Sequence, residues 1–261
     1  PLLRKGLPEL IEKILKVEGI QDVSLTTNGI LLGTYAEQLK NAGLKRINVS
    51  LDSLDSKTYG EMNGRHFPVE KVLRSIEKAA ATGLHIKINM VVQKDSNDQD
   101  IIPMAKYCFE KGYTLRFIEY MDVGNTNRWN MAQVVPSQHI LELLHKEMPV
   151  QPVVSNDNGE VAKRYKYVGT NKEIGFISSV TEAFCSDCNR ARISADGKLY
   201  TCLFATTGTD VKAILQNQCD EEVKLQLMNI WRYRHDRYSE ERNSLNETRS
   251  SNKIEMSYIG G

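Results

Sequence analysis

Polar residues recur at every second position through a series of short apolar runs in the first half of the chain, and this limits the fold more than any other feature. Ser24, Thr26 and Asn28 alternate with Val23 and Leu25. Asn48, Ser50 and Asp52 alternate with Ile47, Val49 and Leu51. Lys87 and Asn89 alternate with Ile86 and Ile88, and Arg116 sits inside a further run. Side chains of a strand point alternately to its two faces, so each polar set shares one face. Strands are predicted at 22–27, 46–51, 85–93 and 114–121. Helical periodicity falls between and around them, at 8–16, 35–42, from Val69 through Val72, Leu73 and Ile76 to a stop at Gly83, and at 100–111. Strand–helix–strand at this spacing predicts right-handed βαβ units and a parallel sheet. Parallel strands covered by helices on both faces are apolar throughout. One wet face instead predicts an α/β chain built as a partial, incomplete TIM-like β/α barrel. Helices lie outside it, a ligand sits in the lumen, and the chemistry lies at the C-terminal strand ends.

The pattern changes after Met121. Residues 122–129 read as a loop. A helix is expected from Pro136-Ser137 to about Met148, with Ser137 as its N-cap. Short antiparallel strands are expected over 161–180, helices over 210–217 and 220–234, and a polar, mobile stretch over 238–253. Between them lies Phe184-Cys-Ser-Asp-Cys-Asn-Arg-Ala-Arg-Ile-Ser194, followed by Cys202. The spacing of Cys185, Cys188 and Cys202 is C-x2-C-x13-C. Asp196-Gly197 is a type I′ turn signal, and a hairpin there folds Cys202 back toward the pair. Three thiolates without an obvious fourth partner suggest a metal centre with one open position. Arg190 and Arg192, expected as an i, i+2 pair on one face of a strand, suggest an anionic ligand beside it. The residues alone leave three readings open. They are an iron–sulfur cluster, a structural zinc completed by Cys219, Asp187 or a histidine, and unliganded thiols.

Composition narrows the class. With 261 residues, 41% apolar and 26% charged, the chain is that of a soluble globular protein of one or two domains. A formal charge of +1 argues against a general nucleic-acid binder. No run of about 18 apolar residues offers a membrane span. Five cysteines without a regular disulfide framework fit a reducing cytosol, so a cytoplasmic location is expected. The start, Pro1-Leu-Leu-Arg-Lys-Gly6, reads as a chain lacking an N-terminal segment.

Several motifs occur in a telling order. They are Thr26-Thr-Asn-Gly29, Asn48-Val-Ser-Leu-Asp52, Arg116-Phe-Ile-Glu-Tyr-Met121, the cysteine hairpin with Arg190-Ala191-Arg192, and the terminal Gly260-Gly261. Together they resemble the GTP 3′,8-cyclase family of molybdenum-cofactor biosynthesis, which are radical S-adenosylmethionine (SAM) enzymes. The resemblance implies a barrel part over 1–122 and a C-terminal domain over 123–261. It implies two 4Fe–4S clusters, GTP as substrate, SAM as cofactor, an electron donor and a homodimer, with no nucleic-acid or membrane partner. In that family the first cluster cleaves SAM, and the resulting radical takes the ribose 3′ hydrogen before C3′ attacks C8. Cys185, Cys188 and Cys202 match the ligands of the second cluster, which binds guanine. Thr26, Lys87, Arg190, Ala191 and Arg192 match GTP contacts, and Ser50 and Met121 match SAM contacts. Arg116, inside a strand on the same wet face, is expected to join Lys87 on the triphosphate. The Gly-Gly tail is expected to enter the active site. The first cluster's C-x3-C-x2-C motif does not occur among Cys108, Cys185, Cys188, Cys202 and Cys219. The 261 residues alone are therefore expected to be inactive. The alternative is a zinc-stabilised nucleotide-binding module without redox chemistry.

Overall fold

The computed structural model describes all residues except 125, 126, 128, 155–159, 246–253, 257, 260 and 261. The chain divides into two compact units. The first comprises Pro1–Tyr120, Ala132–Asn156 and Ala162–Ser178. The second comprises Met121–Met131, Asp157–Val161 and Ser179–Gly261.

The first unit is mixed α/β. Helix α1 (Leu7–Leu15) starts with proline in its first turn, where the missing N–H costs nothing. Strand β1 (Ser24–Thr27), helix α2 (Leu32–Asn41) and strand β2 (Arg46–Ser50) follow. Helix α3 (Ser56–Asn63) was not expected, because Ser56-Lys-Thr-Tyr-Gly-Glu-Met-Asn63 shows no apolar period. Its ends carry the signal instead. The Asp55 carboxylate accepts the Thr58 N–H at 2.8 Å, and Gly64 closes the helix at φ 62°. Helix α4 (Val69–Ala81) buries Val69, Val72 and Ile76 of the predicted stripe together with Ala79, while Leu73 is partly buried against the same core. Strand β3 (His85–Val92), helix α5 (Ile101–Lys111) and strand β4 (Thr114–Glu119) complete the alternation.

Strands β1 to β4 pair in parallel, each with the next. The expected short strands after helix α6 (Ser137–Glu147) and β5 (Val150–Pro152) are β6 (Lys163–Tyr167) and β7 (Glu173–Ile177). They form an antiparallel hairpin, and β7 also pairs in parallel with β4. The sheet order is β1-β2-β3-β4-β7-β6-β5. On one face Ile47, Val49, Ile86, Ile88, Met90, Leu115, Phe117, Ile174 and Phe176 are buried within one core cluster with α1, α2, α4, α5 and α6. Each fully buried side chain of this kind contributes about 1.5–3 kcal/mol. The strict alternation of burial along β3 and β4 leaves the polar set on the other face.

Ser137 is not the N-cap of α6. Pro136 holds that position, and the Ser137 N–H donates to the fully buried Glu119 carboxylate at 2.8 Å. Glu119 lies on the core face of β4, opposite in parity to Arg116, and there it meets the positive end of the helix dipole.

In the second unit, strands β8 (Arg192–Ile193), β9 (Lys198–Tyr200) and β10 (Thr209–Asp210) form a small antiparallel sheet. The β8–β9 turn is not type I′, which needs positive φ at both central residues. In the Asp196-Gly197 pair only Gly197 adopts it, at φ 88°. The Gly197 N–H donates to the Ser194 carbonyl and the Ser194 N–H to the Lys198 carbonyl, both at 2.9 Å. Helices α7 (Val211–Asn217) and α8 (Asp220–Arg232) follow. The stretch expected to be mobile from residue 238 begins as helix α9 (Tyr238–Leu245). It is tied down by Arg242, which is 3% exposed. Arg242 Nε donates to Asp122 Oδ1 at 2.9 Å and its Nη1 to the Ser179 carbonyl at 3.2 Å. Tyr238 donates to Asp122 Oδ2 at 2.5 Å. Sequence periodicity gave no hint of this cluster, because Asp122 and Ser179 lie 120 and 63 residues from Arg242. The terminal Gly260-Gly261 pair falls outside the described residues.

Candidate functional site

Strand register groups the candidates of the first unit into rows. Thr26 pairs with Asn48, Asn48 with Lys87, and Lys87 with Thr114. The next row toward the C-terminal ends is Ser50, Asn89, Arg116 and Gly175. Thr26, Ser50, Lys87 and Arg116 are thus brought onto one face, as their parity predicts. A hydrogen-bond ladder crosses the strands there. Asn48 Nδ2 donates to Thr26 Oγ1 at 3.3 Å, Arg116 Nη2 to Asn48 Oδ1 at 2.8 Å, and Arg116 Nε to Asn89 Oδ1 at 2.9 Å. Gly175 makes room for the guanidinium stem, since a Cβ at that position would lie 3.2 Å from Arg116 Cγ. No carboxylate among the described residues pairs with Arg116, so neither Glu119 nor Asp52 neutralises it. Burial, and then the neighbouring charge of Arg46, hold its pKa below the usual arginine value. A partly desolvated cation held by two neutral amides is suited to receive an anion.

Asp52 lies one step beyond β2. Its Oδ1 accepts the Val91 N–H at 2.9 Å, and burial pushes its pKa up to about 6 although that bond opposes the shift. Asn97, fully buried, donates to the carbonyls of Asp52 and Val91 at 2.7 and 2.9 Å and accepts the Gln93 N–H at 2.8 Å. This clamp on the strand ends had no sequence signal beyond an asparagine in a polar loop.

In the second unit the Cys188 N–H donates to the Cys185 carbonyl at 3.2 Å, closing the expected tight turn. Cys185, Cys188 and Cys202 are all half-buried. Charge on Cys185 is felt at Cys202, and charges on both Cys188 and Cys202 are felt at Arg192, so the hairpin does return Cys202 to the pair. Arg190 precedes β8 rather than lying on it, so strand alternation does not place it. Its Nε donates to Cys188 Sγ at 3.3 Å, and its guanidinium lies 5.1 Å from the centre of the Phe184 ring. Ala191 is exposed and Arg192 half-buried. Burial raises the Cys188 thiol, but hydrogen bonds from Arg234 and Arg190 outweigh it and bring the pKa down to about 7. At Cys202 burial wins and the pKa rises, although the Phe204 N–H donates to its sulfur at 3.4 Å.

Arg234 was missed by the sequence reading. Its Nη1 donates to the Cys188 carbonyl at 2.5 Å. A cavity of about 440 Å³ opens beside the hairpin, lined by Cys202, Phe204, Thr206, Arg237 and Tyr238 among others. Met121 opens the second unit, with its carbonyl accepting from Asn127 Nδ2 at 2.9 Å.

Among the described residues no three His, Cys, Asp or Glu side chains are gathered to hold a single metal ion. Cysteines of an iron–sulfur cluster bind different irons, so they surround a volume rather than meet at a point. Three half-buried thiols, two in one turn and the third returned toward it by the hairpin, with Cys188 eased toward thiolate by two guanidinium groups, fit that requirement. Cys219 does not join them. It is exposed and caps α8, its N–H donating to Glu222 at 3.1 Å. Cys108 is buried in α5, where its surroundings push the thiol up.

Sequence comparison agrees with this arrangement. The radical SAM superfamily model matches residues 1–108, and the Molybdenum Cofactor Synthesis C model matches 113–240. These matches, with the parallel sheet and the cysteine hairpin, define a radical SAM protein with a molybdenum-cofactor-synthesis C-terminal region. The GTP 3′,8-cyclase of Staphylococcus haemolyticus is 43% identical over the whole of this chain and 78% of its own length. That of Staphylococcus aureus strain Mu3 is 44% identical with the same coverage. The chain belongs to the GTP 3′,8-cyclase family, whose members act in molybdenum-cofactor biosynthesis. Membership implies 4Fe–4S clusters and SAM. Among solved structures, that of Streptococcus suis SuiB aligns at 13% identity over 90% of this chain and 61% of that one, with a TM-score of 0.46. No helix among the described residues is long and apolar enough to cross a membrane.

Proposed function

We propose that GTP is the substrate and that Cys185, Cys188 and Cys202 hold a 4Fe–4S cluster whose open iron receives the guanine. The observation that carries this reading is the set of arginines around the cysteine turn. Arg190 donates to the Cys188 sulfur, and Arg192 senses both Cys188 and Cys202. A structural zinc needs no such cations, whereas an anionic nucleotide does. Arg190, Ala191 and Arg192 contact the nucleotide. In the first unit Thr26, Lys87 and Arg116 contact it, with Lys87 and Arg116 on the triphosphate. Ser50 and Met121 contact SAM. Residues 1–122 serve as the barrel part and 123–261 as the cluster domain. The protein works in the cytoplasm as a homodimer served by an electron donor, and a second 4Fe–4S cluster binds SAM.

When bound, the cluster offers one iron to a ring atom of the purine. The chain's own residues supply neutralisation and orientation. Arg190 is braced against Phe184 and Cys188, so its planar fork is fixed before the nucleotide arrives. Metal analysis after anaerobic reconstitution tests the reading. About four irons per chain are expected, from a cluster with three cysteine ligands. Cys202→Ser should lose most of them and Cys219→Ser none. One tightly held zinc per chain in the native protein would refute the cluster and leave the nucleotide-binding module.

A further inference from the structure

Of the three cysteines, Cys188 is the one that two guanidinium groups bond, one at its sulfur and one at its carbonyl. Arg190 Nε, from the adjacent chain, donates to the sulfur at 3.3 Å, and Arg234, from the segment after α8, reaches the main chain. The two arginines are anchored differently. Arg190 is half-buried and rests on Phe184, in the run that carries the proposed nucleotide contacts. Arg234 has only 10% of its side chain exposed and is held on every side. Its Nη1 donates to the Cys188 carbonyl at 2.5 Å and its Nε to Asp236 Oδ2 at 3.3 Å, while its guanidinium lies 4.9 Å from the centre of the Trp231 ring. Its charge is also felt at Cys202. A guanidinium so fully engaged with one cysteine turn has little left to offer a substrate. It remains able to fix the turn and to hold a positive charge beside it.

We propose that Arg234 is a positioning residue for the C-terminal cluster, one that clamps the Cys188 main chain and raises the cluster's reduction potential by holding a positive charge beside that cysteine. The inference rests on the cluster reading above. A positive charge held beside a thiolate-ligated cluster favours the reduced, more negative state of the centre. Removing the cation should therefore shift the midpoint to more negative values. The cysteines, which are the actual ligands, should still load. Lysine keeps the charge but is a single point donor. It cannot serve the Cys188 carbonyl and Asp236 together in the same planar geometry.

The test uses the full chain with its cluster reconstituted anaerobically. Iron content is measured first. The one-electron midpoint is then followed by electron paramagnetic resonance during titration with mediator dyes, which supply the electron. Arg234→Gln should retain the wild-type iron content and shift the reduction equilibrium at least tenfold toward the oxidised form, about 59 mV for a one-electron couple. Arg234→Lys should fall between it and wild type. Lys224→Gln, which removes an exposed charge from α8, should leave the midpoint unchanged and so controls for net charge. Full loading with a midpoint within tenfold of wild type in Arg234→Gln would overturn the proposal. So would loss of the iron in both Arg234 variants, which would make the residue a structural brace. A wild-type chain that assembles no iron–sulfur centre would instead refute the cluster reading on which this one stands.

Discussion

Replacing Arg116 by methionine separates a phosphate-binding role from a structural one. The substitution keeps much of the stem's bulk beside Gly175 and removes the cation together with its bonds to Asn48 and Asn89. A hydrogen bond to a charged group is worth about 1.5–3 kcal/mol. At about 1.4 kcal/mol per tenfold, GTP should bind roughly 10- to 150-fold more weakly. Guanosine, which lacks the phosphates, should bind as to wild type. The fold loses as well, because the Asn48 and Asn89 carbonyls are left without a donor. Asn48 is only 8% exposed, and an unsatisfied buried acceptor costs about 1–3 kcal/mol. Calorimetric titration of the reconstituted chain with GTP, GDP and guanosine, alongside thermal melts, reads both effects. Gly175→Ala is the milder partner experiment. Its Cβ would displace the Arg116 stem without removing the charge, so the loss should again grow with the number of phosphates but be smaller. Equal weakening toward GTP and guanosine, or a lowered melting temperature with unchanged GTP affinity, would show that Arg116 only ties the sheet together.

Two further outcomes follow from groups outside the substrate set. Ser137→Ala should be neutral or slightly stabilising in denaturant melts, because the Ser137 hydroxyl is buried without a partner, whereas loss of a true N-cap would cost about 1 kcal/mol. Asp52 has a folded-state pKa raised from the ordinary 3.8 to about 6, so the fold prefers its protonated form. Its contribution is therefore fully present below pH 3.8, is lost as pH rises to about 6, and is constant above. Asp52→Asn, which keeps an acceptor for the Val91 N–H, should gain stability over wild type progressively across that window. The gain should reach at most about 3 kcal/mol, less whatever solvent screening removes at this half-buried site. A pH-independent difference between the two proteins would refute the assignment.

What the chain made legible from sequence was what repeats locally. Period-two polarity placed Thr26, Ser50, Lys87 and Arg116 on one face because side-chain direction in a strand depends only on parity. It could not say that β7 would extend the sheet beside β4 and set Gly175 against Arg116, since strand order is a long-range choice. Parity also failed where no strand forms. Arg190 lies before β8, and a direct bond to Cys188 orients it, not the pleat.

The second unit was harder to read because its order comes from contacts between distant segments. Tyr238-Ser-Glu-Glu-Arg242 has the composition of a solvated tail, with no apolar stripe to suggest burial. What orders it is the pairing of Arg242 with Asp122, supported by Tyr238 and by the stacking of Phe204 on Tyr238 at 4.3 Å. Phe204 in turn gives its N–H to Cys202, so this buried ion pair is linked through Tyr238 and Phe204 to a cysteine of the hairpin. A buried pair of this kind contributes little net stability but is expensive to break. Its value here is geometric. It fixes the α9 end of the cavity beside Cys202, as Arg234 fixes the turn that carries Cys188. Cysteine spacing marks the three thiols, but the residues that hold those cysteines in place come from remote, unpatterned sequence, where neither parity nor helical period can find them.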